Sequence, residues 1–384
     1  MIKNIVFLTT YPLSEPVVKN RLTPFINLAL DSGLEVTLIS PSGGCYAKHP
    51  LKNFNHITVS SPSGSPVSFI TRAAKEIVLC LKIVQKIPSN TDVVFVTIPS
   101  MFLLFAYKFK CPTRVEVLDV RDLTWEYLSE RSFALRCFKR GFRYLAAYRI
   151  AKFDLVSVTN EHEKNYVLSL DKISEHNVLM CTNGISKIQY HALEKAVNIS
   201  QSRHKKRPVV AYIGNVGVAQ NITTFVTAAK QLPGIDFKVI GGGNELNNIE
   251  TLSKNMPNFQ VLGRVSWDRI PSYYANADLL WAQLTPDFSG AMPSKLYEYI
   301  AAGKPIVYGG EGQALSVLKR FIGIQVIESA DVEVLVSSIL YGLDRGISNI
   351  EVLHNREIIV SDYIRETSVL KTFEMVLNKS RPER

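Results

Sequence analysis

Ser289-Gly-Ala-Met-Pro-Ser-Lys-Leu-Tyr-Glu-Tyr-Ile-Ala-Ala-Gly-Lys-Pro-Ile-Val-Tyr308 reads as a loop, a helix and a strand. Gly290 and Pro293 break what precedes, and Pro293 presets φ for a first helical turn. Leu296, Tyr297, Tyr299 and Ile300 recur at helical spacing, Gly303 stops the helix, and Ile306-Val-Tyr308 forms a short apolar strand. The helix therefore opens with free N–H groups, the Ser294 hydroxyl and the Lys295 ammonium, with the Glu298 carboxylate one turn later. Such a terminus attracts an anion, and a carboxylate one turn on is placed to accept from a ribose diol. Together they point to a nucleotide diphosphate. An ordinary amphipathic helix of an α/β domain is the competing reading.

Upstream, strand Val209–Ile213 runs into Gly214-Asn-Val-Gly-Val-Ala-Gln-Asn221, helix 222–232, strand 237–240 and Gly241-Gly-Gly243. A strand, a glycine turn and a helix in that order can cradle a diphosphate through backbone N–H groups. The N-terminal half opens in the same way, with strand 2–9, loop 10–20, helix 21–32 and strand 34–40. Two βαβ starts predict two parallel sheets, with ligands at the carboxyl ends of the strands. The loop Thr10–Pro16 then lies at the mouth of a cleft, and a strand through Val115 and Val117 delivers Asp119, Arg121 and Asp122 to the same rim. Arg121 and Asp122 read either as sugar contacts or as an internal pair capping the next helix. Helix 68–87, strand 92–97, strand 154–159, helix 161–169 and strand 178–180 complete the first domain, and the polar stretch 190–207 reads as a hinge.

At 384 residues and 46% hydrophobic, the chain has room for two cores of ordinary domain size. Its five cysteines (Cys45, Cys80, Cys111, Cys137, Cys181) are scattered without a Cys-x-x-Cys pair, which suits reduced thiols better than a disulfide or zinc framework. The seven histidines are equally scattered and no Asp-x-Asp fits an exposed loop, so no metal site is expected. The first ten residues read as a strand rather than a signal sequence, and the run Val93–Tyr107 is too short to span a bilayer. The net charge of +10 divides into about +8 over residues 1–200, +4 over 201–210 and about −2 over the rest. Residues 131–152 hold seven basic side chains and no acid, interleaved with Phe133, Leu135, Phe138, Phe142 and Leu145 at helical spacing. A basic amphipathic helix reads as a membrane-surface element; a helix packed on the sheet with a solvated basic back is the alternative. Nucleic acid is not expected, since no reader motif accompanies the charge.

Pro293-Ser-Lys-Leu-Tyr-Glu-Tyr-Ile-Ala-Ala-Gly-Lys-Pro305 resembles the signature helix of family 4 glycosyltransferases, most closely in the branch that builds bacterial O-antigens and other surface polysaccharides. The resemblance runs loosely through the N-terminal half and strongly through the C-terminal half. It implies the GT-B fold, two Rossmann-like parallel-sheet domains facing a central cleft. The domains expected are an acceptor-binding 1–195, a nucleotide-sugar-binding 205–360 and a C-terminal helix in 361–384 packing back towards the N-terminal domain. It further implies a retaining, metal-independent hexosyl- or N-acetylhexosaminyltransferase with no cofactor. Such an enzyme takes a UDP-sugar as donor substrate and a lipid-linked saccharide as acceptor, at the cytoplasmic face of the inner membrane. Lys295, Asp122 and Arg121 take the catalytic positions. Glu298, Ser294, Met292, Gly214, Asn215, Gly217, Gln220, Gly241, Arg264 and Val265 take the donor-binding ones.

Three departures from the family pattern stand out. Asn215 and Gln220 or Asn221 replace a phosphate-binding arginine and lysine, and Gly290 replaces the first glutamate of a Glu-x7-Glu pair. The donor's charge must then be met by Lys295, Arg264 and backbone amides. A nucleotide-sugar 2-epimerase, or a non-catalytic nucleotide-sugar-binding protein, is the alternative on the same fold.

Overall fold

The computed structural model describes residues 2–44, 46, 52–61, 69–98, 100–107, 114–126, 133–170, 172–200 and 207–379. Cys45, Cys111, the first two residues of the basic stretch 131–152 and residues 201–206 of the charged segment 201–210 lie outside the described residues. The chain divides into two compact units, Met1–Asn183 with Arg365–Arg384, and Gly184–Ile364.

The N-terminal sheet is built from β1 (Asn4–Leu8), β2 (Glu35–Pro41), β3 (Phe54–Val59), β4 (Val93–Ile98), β5 (Val115–Val120), β6 (Leu155–Val158) and β7 (Val178–Met180). All are parallel, in the order β3-β2-β1-β4-β5-β6-β7. A parallel sheet is covered on both faces, so its central strands are continuously apolar. Val93–Ile98 is buried at every position, with Val93 and Phe95 in one core and Val94, Val96 and Ile98 in the other. The covering helices are α1 (Pro16–Asp31), α2 (Phe69–Gln85), α3 (Met101–Ala106), α4 (Phe133–Ile150) and α5 (Glu161–Leu168). Helix α1 starts at Pro16, five residues before the expected 21, because proline suits the first turn. Strand β3 was not anticipated: at the sheet edge it is only partly buried, and its weak apolar pattern carries little signal.

The C-terminal sheet comprises β8 (Val209–Ile213), β9 (Asp236–Ile240), β10 (Phe259–Val261), β11 (Leu279–Gln283), β12 (Ile306–Gly309) and β13 (Ile324–Ile327), parallel in the order β10-β9-β8-β11-β12-β13. Its helices are α6 (Lys187–Ser200), α7 (Thr223–Gln231), α8 (Leu246–Ser253), α9 (Ile270–Asn276), α10 (Lys295–Ala301), α11 (Gln313–Leu318), α12 (Val332–Arg345) and α13 (Asn349–Asp362). A last helix, α14 (Arg365–Lys379), belongs to the N-terminal unit, where it packs against α1. The stretch read as a polar hinge is largely α6, whose Tyr190 and Leu193 enter the C-terminal core, so the crossover falls at Asn183–Gly184. In each sheet the strand order reverses once, between β1 and β4 and between β8 and β11. The carboxyl ends at those reversals are where open α/β sheets form their ligand crevices.

Candidate active site

In the C-terminal unit the reversal is lined by backbone. Gly214 N–H donates to the Ile240 carbonyl, Val216 N–H to that of Gly242, and Gly241 N–H to that of Gly263. These bonds bind the ends of β8, β9 and β10 into one floor. A Cβ on Gly241 would overlap the Gly214 carbonyl oxygen, and one on Gly243 would overlap that of Val216. Only glycine permits this approach, and Gly241 also has φ +148°. Asn215 and Gln220 join side chain to side chain at 3.3 Å beside Gly217, so the loop that replaces the charged pair is a neutral amide network.

Two cations lean onto this floor. Lys295 packs so close to Gly214 that a Cβ there would meet its Cδ at 2.8 Å and its Nζ at 3.0 Å. The same test at Gly242 meets Arg264 Nε at 3.2 Å. Lys295 Nζ donates to the Tyr212 hydroxyl at 2.5 Å and lies 3.9 Å from the centroid of that ring. Tyr212 Oη in turn donates to the Asn215 carbonyl. Loss of hydration pulls the Lys295 ammonium down to about 7, with Glu298 opposing. One turn on, Glu298 Oε2 accepts from the Tyr274 hydroxyl at 3.0 Å.

Helix α10 is shorter and more enclosed than the sequence suggested. It starts at Lys295, runs seven residues, and buries Leu296, Tyr297, Tyr299 and Ile300 together, because α6 and α13 flank it. The Tyr299 hydroxyl accepts from Ile213 N–H at 2.8 Å and reaches the Ile213 and Trp281 carbonyls, which ties α10 to the end of β8. Ser294 is exposed at the cap and makes no side-chain capping bond. Met292 and Val265 are partly buried against the core. Gly214, Asn215, Gly217, Gln220, Gly241, Arg264, Lys295 and Glu298 thus gather at one sheet edge.

The remaining predicted residues, Arg121 and Asp122, follow β5 in the N-terminal unit. Just below them Arg21 and Asp119 form a buried pair, with Arg21 Nη2 to Asp119 Oδ1 at 2.5 Å and Nε to Oδ2 at 3.2 Å. Arg21 also donates to the Cys181 carbonyl at 2.6 Å and Ser157 Oγ at 3.2 Å. Arg121 forms no such brace through Nε and Nη1, which are buried without a hydrogen-bond partner. Asp122 is exposed, yet the surrounding protein raises its carboxyl, with Arg121 opposing. Glu163 accepts from Thr159 N–H at 2.6 Å and Oγ1 at 2.9 Å, and burial pushes it up to about 7.

Sequence reading missed Arg21, Tyr212, Tyr274 and Glu163. Arg21 had a signal, since it shares the α1 stripe with Val18, Leu22 and Phe25. A charge within an apolar stripe asks for a buried partner. The two tyrosines carry no separate sequence signal, because a buried ring that also presents a hydroxyl to a site has the same pattern as any core aromatic.

Residues 194–349 match the family model described as glycosyl transferases group 1. No curated protein matches the chain. Among solved structures, sucrose-phosphate synthase from Thermosynechococcus elongatus is 14% identical with a TM-score of 0.72, over 98% of each chain. Anabaena HepE in complex with UDP and glucose is 15% identical with a TM-score of 0.66, over 98% of this chain and 100% of its own. WaaG, a glycosyltransferase involved in lipopolysaccharide biosynthesis, is 15% identical with a TM-score of 0.66, over 97% and 99%. At such identities the likeness speaks for architecture: the two parallel-sheet units have the GT-B fold, and residues 194–349 match its group 1 glycosyl transferase domain.

Proposed function

We propose that this chain is a retaining glycosyltransferase that moves a hexosyl or N-acetylhexosaminyl group from a UDP-sugar to a lipid-linked saccharide in cell-surface polysaccharide synthesis. One observation carries the reading: Lys295 is packed against Gly214 at the sheet reversal, beside the glycine-lined floor and one turn before Glu298. Lys295 and Arg264, packed against the glycine-lined floor, would receive the donor diphosphate, and Glu298, oriented by Tyr274, the ribose hydroxyls. Ser294, Met292, Val265 and the Asn215–Gly217–Gln220 loop complete the donor side. The match over residues 194–349 and the UDP complex of the similar Anabaena protein support this assignment.

In the reaction, charge grows on the leaving phosphate as the glycosidic bond breaks. A preorganised cation there stabilises the transition state more than the ground state. In a retaining transfer the acceptor hydroxyl attacks from the face the phosphate leaves, and a phosphate oxygen takes its proton. No side-chain nucleophile is required, the donor is a substrate, and we assign no metal or other cofactor a role. Asp122 and Arg121 serve the acceptor side.

Helix α4 supports a peripheral site at the inner membrane face. Phe133, Phe138, Tyr144, Leu145 and Tyr148 are exposed along it together with Arg136 and Arg140. The basic stripe is narrower than the sequence implied: Lys139 is buried and donates to the Glu126 carbonyl at 2.7 Å, and Arg143 pairs with the Glu126 carboxylate. Among the described residues no helix is long and apolar enough to cross a membrane.

Incubation with radiolabelled UDP-sugars, with and without a membrane extract, tests the proposal. Label transferred to lipid with the extract supports it. An epimerised donor or an unchanged donor overturns it in favour of an isomerase or a binding protein, respectively.

A further inference from the structure

Buried side-chain polar atoms without a partner are few, because each gives up hydration with no hydrogen bond in return. Among the described residues of the N-terminal unit there are four: Thr10 Oγ1, Thr97 Oγ1, Arg121 Nε and Arg121 Nη1. All four lie at the carboxyl edge of the N-terminal sheet. Thr10 lies two residues beyond the end of β1, Thr97 is the penultimate residue of β4, and Arg121 directly follows β5. These strands are neighbours, and β1 and β4 are the pair at which the strand order reverses. Thr97 is in register with Asp119, two residues before Arg121.

The charges nearby do not satisfy Arg121. Asp119 is engaged by Arg21 through both oxygens. Glu163 is held by Thr159. Neither Arg121 Nε nor Nη1 bonds to Asp122. Burial and the neighbouring Arg21 both disfavour the Arg121 cation, yet a guanidinium does not shed its proton in a protein. Arg121 as a residue is only partly buried, so the edge opens to solvent. Tyr11, next in sequence to Thr10, and Thr124, three residues after Arg121, line a cavity of about 170 Å³ together with Arg72 and Glu76.

We propose that this edge is a seat for an oxyanion carried by the acceptor, a phosphate or a carboxylate, gripped by Arg121 and the Thr10 and Thr97 hydroxyls. The assignment to the acceptor rests on the transferase reading above. The contrast with Arg21 supports it: Arg21 is a finished structural brace, whereas Arg121 has the same chemistry without the partners. A guanidinium fork and two hydroxyls offer donors only where a planar or tetrahedral oxyanion has acceptors. A neutral sugar hydroxyl would leave the charge unmet.

The test uses the full chain with its donor site saturated by UDP. Calorimetry and thermal unfolding are run with glucose 6-phosphate, glucuronate and methyl glucoside. At least one of the two anions is expected to bind and raise Tm, while methyl glucoside does neither. Response to the phosphate alone assigns the seat to a phosphorylated acceptor, and response to the carboxylate alone to an acidic sugar. Arg121→Gln should weaken the anion roughly 10- to 100-fold, the scale of a hydrogen bond to a charged group. Without anion its Tm should equal or exceed that of the unaltered protein, since a buried unmet charge has gone. Arg121→Lys, which keeps the charge but not the fork, should fall between. A lower anion-free Tm in both variants would make Arg121 structural and overturn the proposal. So would equal binding of methyl glucoside, absence of any anion response, or anion binding that UDP abolishes. Failure of the transferase reading shows instead as no UDP binding or transfer, while the Arg121-dependent anion shifts persist.

Discussion

At the carboxyl edge of the C-terminal sheet Lys295 rests on Tyr212, whereas at the N-terminal edge Arg121 keeps two buried nitrogens unpartnered. Both are cations at a strand-order reversal, and burial acts on them differently. The lysine responds through protonation: its ammonium falls to about 7, so the empty site can shed the charge. The arginine has no such exit, and its burial appears as unmet hydrogen bonds. A lysine therefore suits a site that is filled and emptied in each cycle, and an unmet arginine marks a site completed by its ligand.

The comparison breaks first on stability. Arg21→Met leaves Asp119 buried without its cation and should cost about 3–5 kcal/mol in denaturant unfolding. A loss below about 1 kcal/mol would show that Arg121 swings onto Asp119, and the contrast between brace and seat would fall. Next, Lys295→Ala should lower kcat roughly 10²–10³-fold, the effect of losing one preorganised stabiliser, with a smaller change in donor affinity. Near-normal turnover beside an inactive Arg264→Ala would move the phosphate contact to Arg264. Glu298→Ala should weaken UDP binding by about 1–3 kcal/mol in calorimetry, and unchanged affinity would remove Glu298 from the site.

The smallest effect is the most specific. The diphosphate favours the Lys295 ammonium, so above a pKa of about 7 UDP binding must take up a proton. Affinity should then fall roughly fivefold from pH 7 to pH 8, relative to Lys295→Gln, and level off below pH 6. Parallel profiles for the two proteins would show that Lys295 carries its full charge in the empty site and that the two edges do not differ in this way.

Much of the fold was legible because burial on both faces of a parallel sheet writes itself as continuous apolar runs, as in Val93–Ile98. The floor of the donor site was legible for a related reason: Gly241 and Gly243 stand where backbones approach too closely for any side chain. Edge strand β3 and the first turn of α1 carry no such constraint and were not read correctly. Polar composition likewise suggested a hinge where α6 packs Tyr190 and Leu193 into a core.

The sequence by itself thus determined the two βαβ starts, the strand-turn-helix order of the donor site and the presence of Lys295 and Glu298 one turn apart. It could not decide what those groups face. Arg21 finds Asp119 98 residues away, and Lys295 finds Tyr212 at a separation of 83. Both pairings depend on strand order: β5 sits two strands from β1, with β4 between them, and β8 lies two strands from β12, with β11 between them. Periodicity records that a face is buried, since burial is a property of each residue alone. Which polar groups meet beneath it is a property of the crossovers, and those exist only in the folded chain.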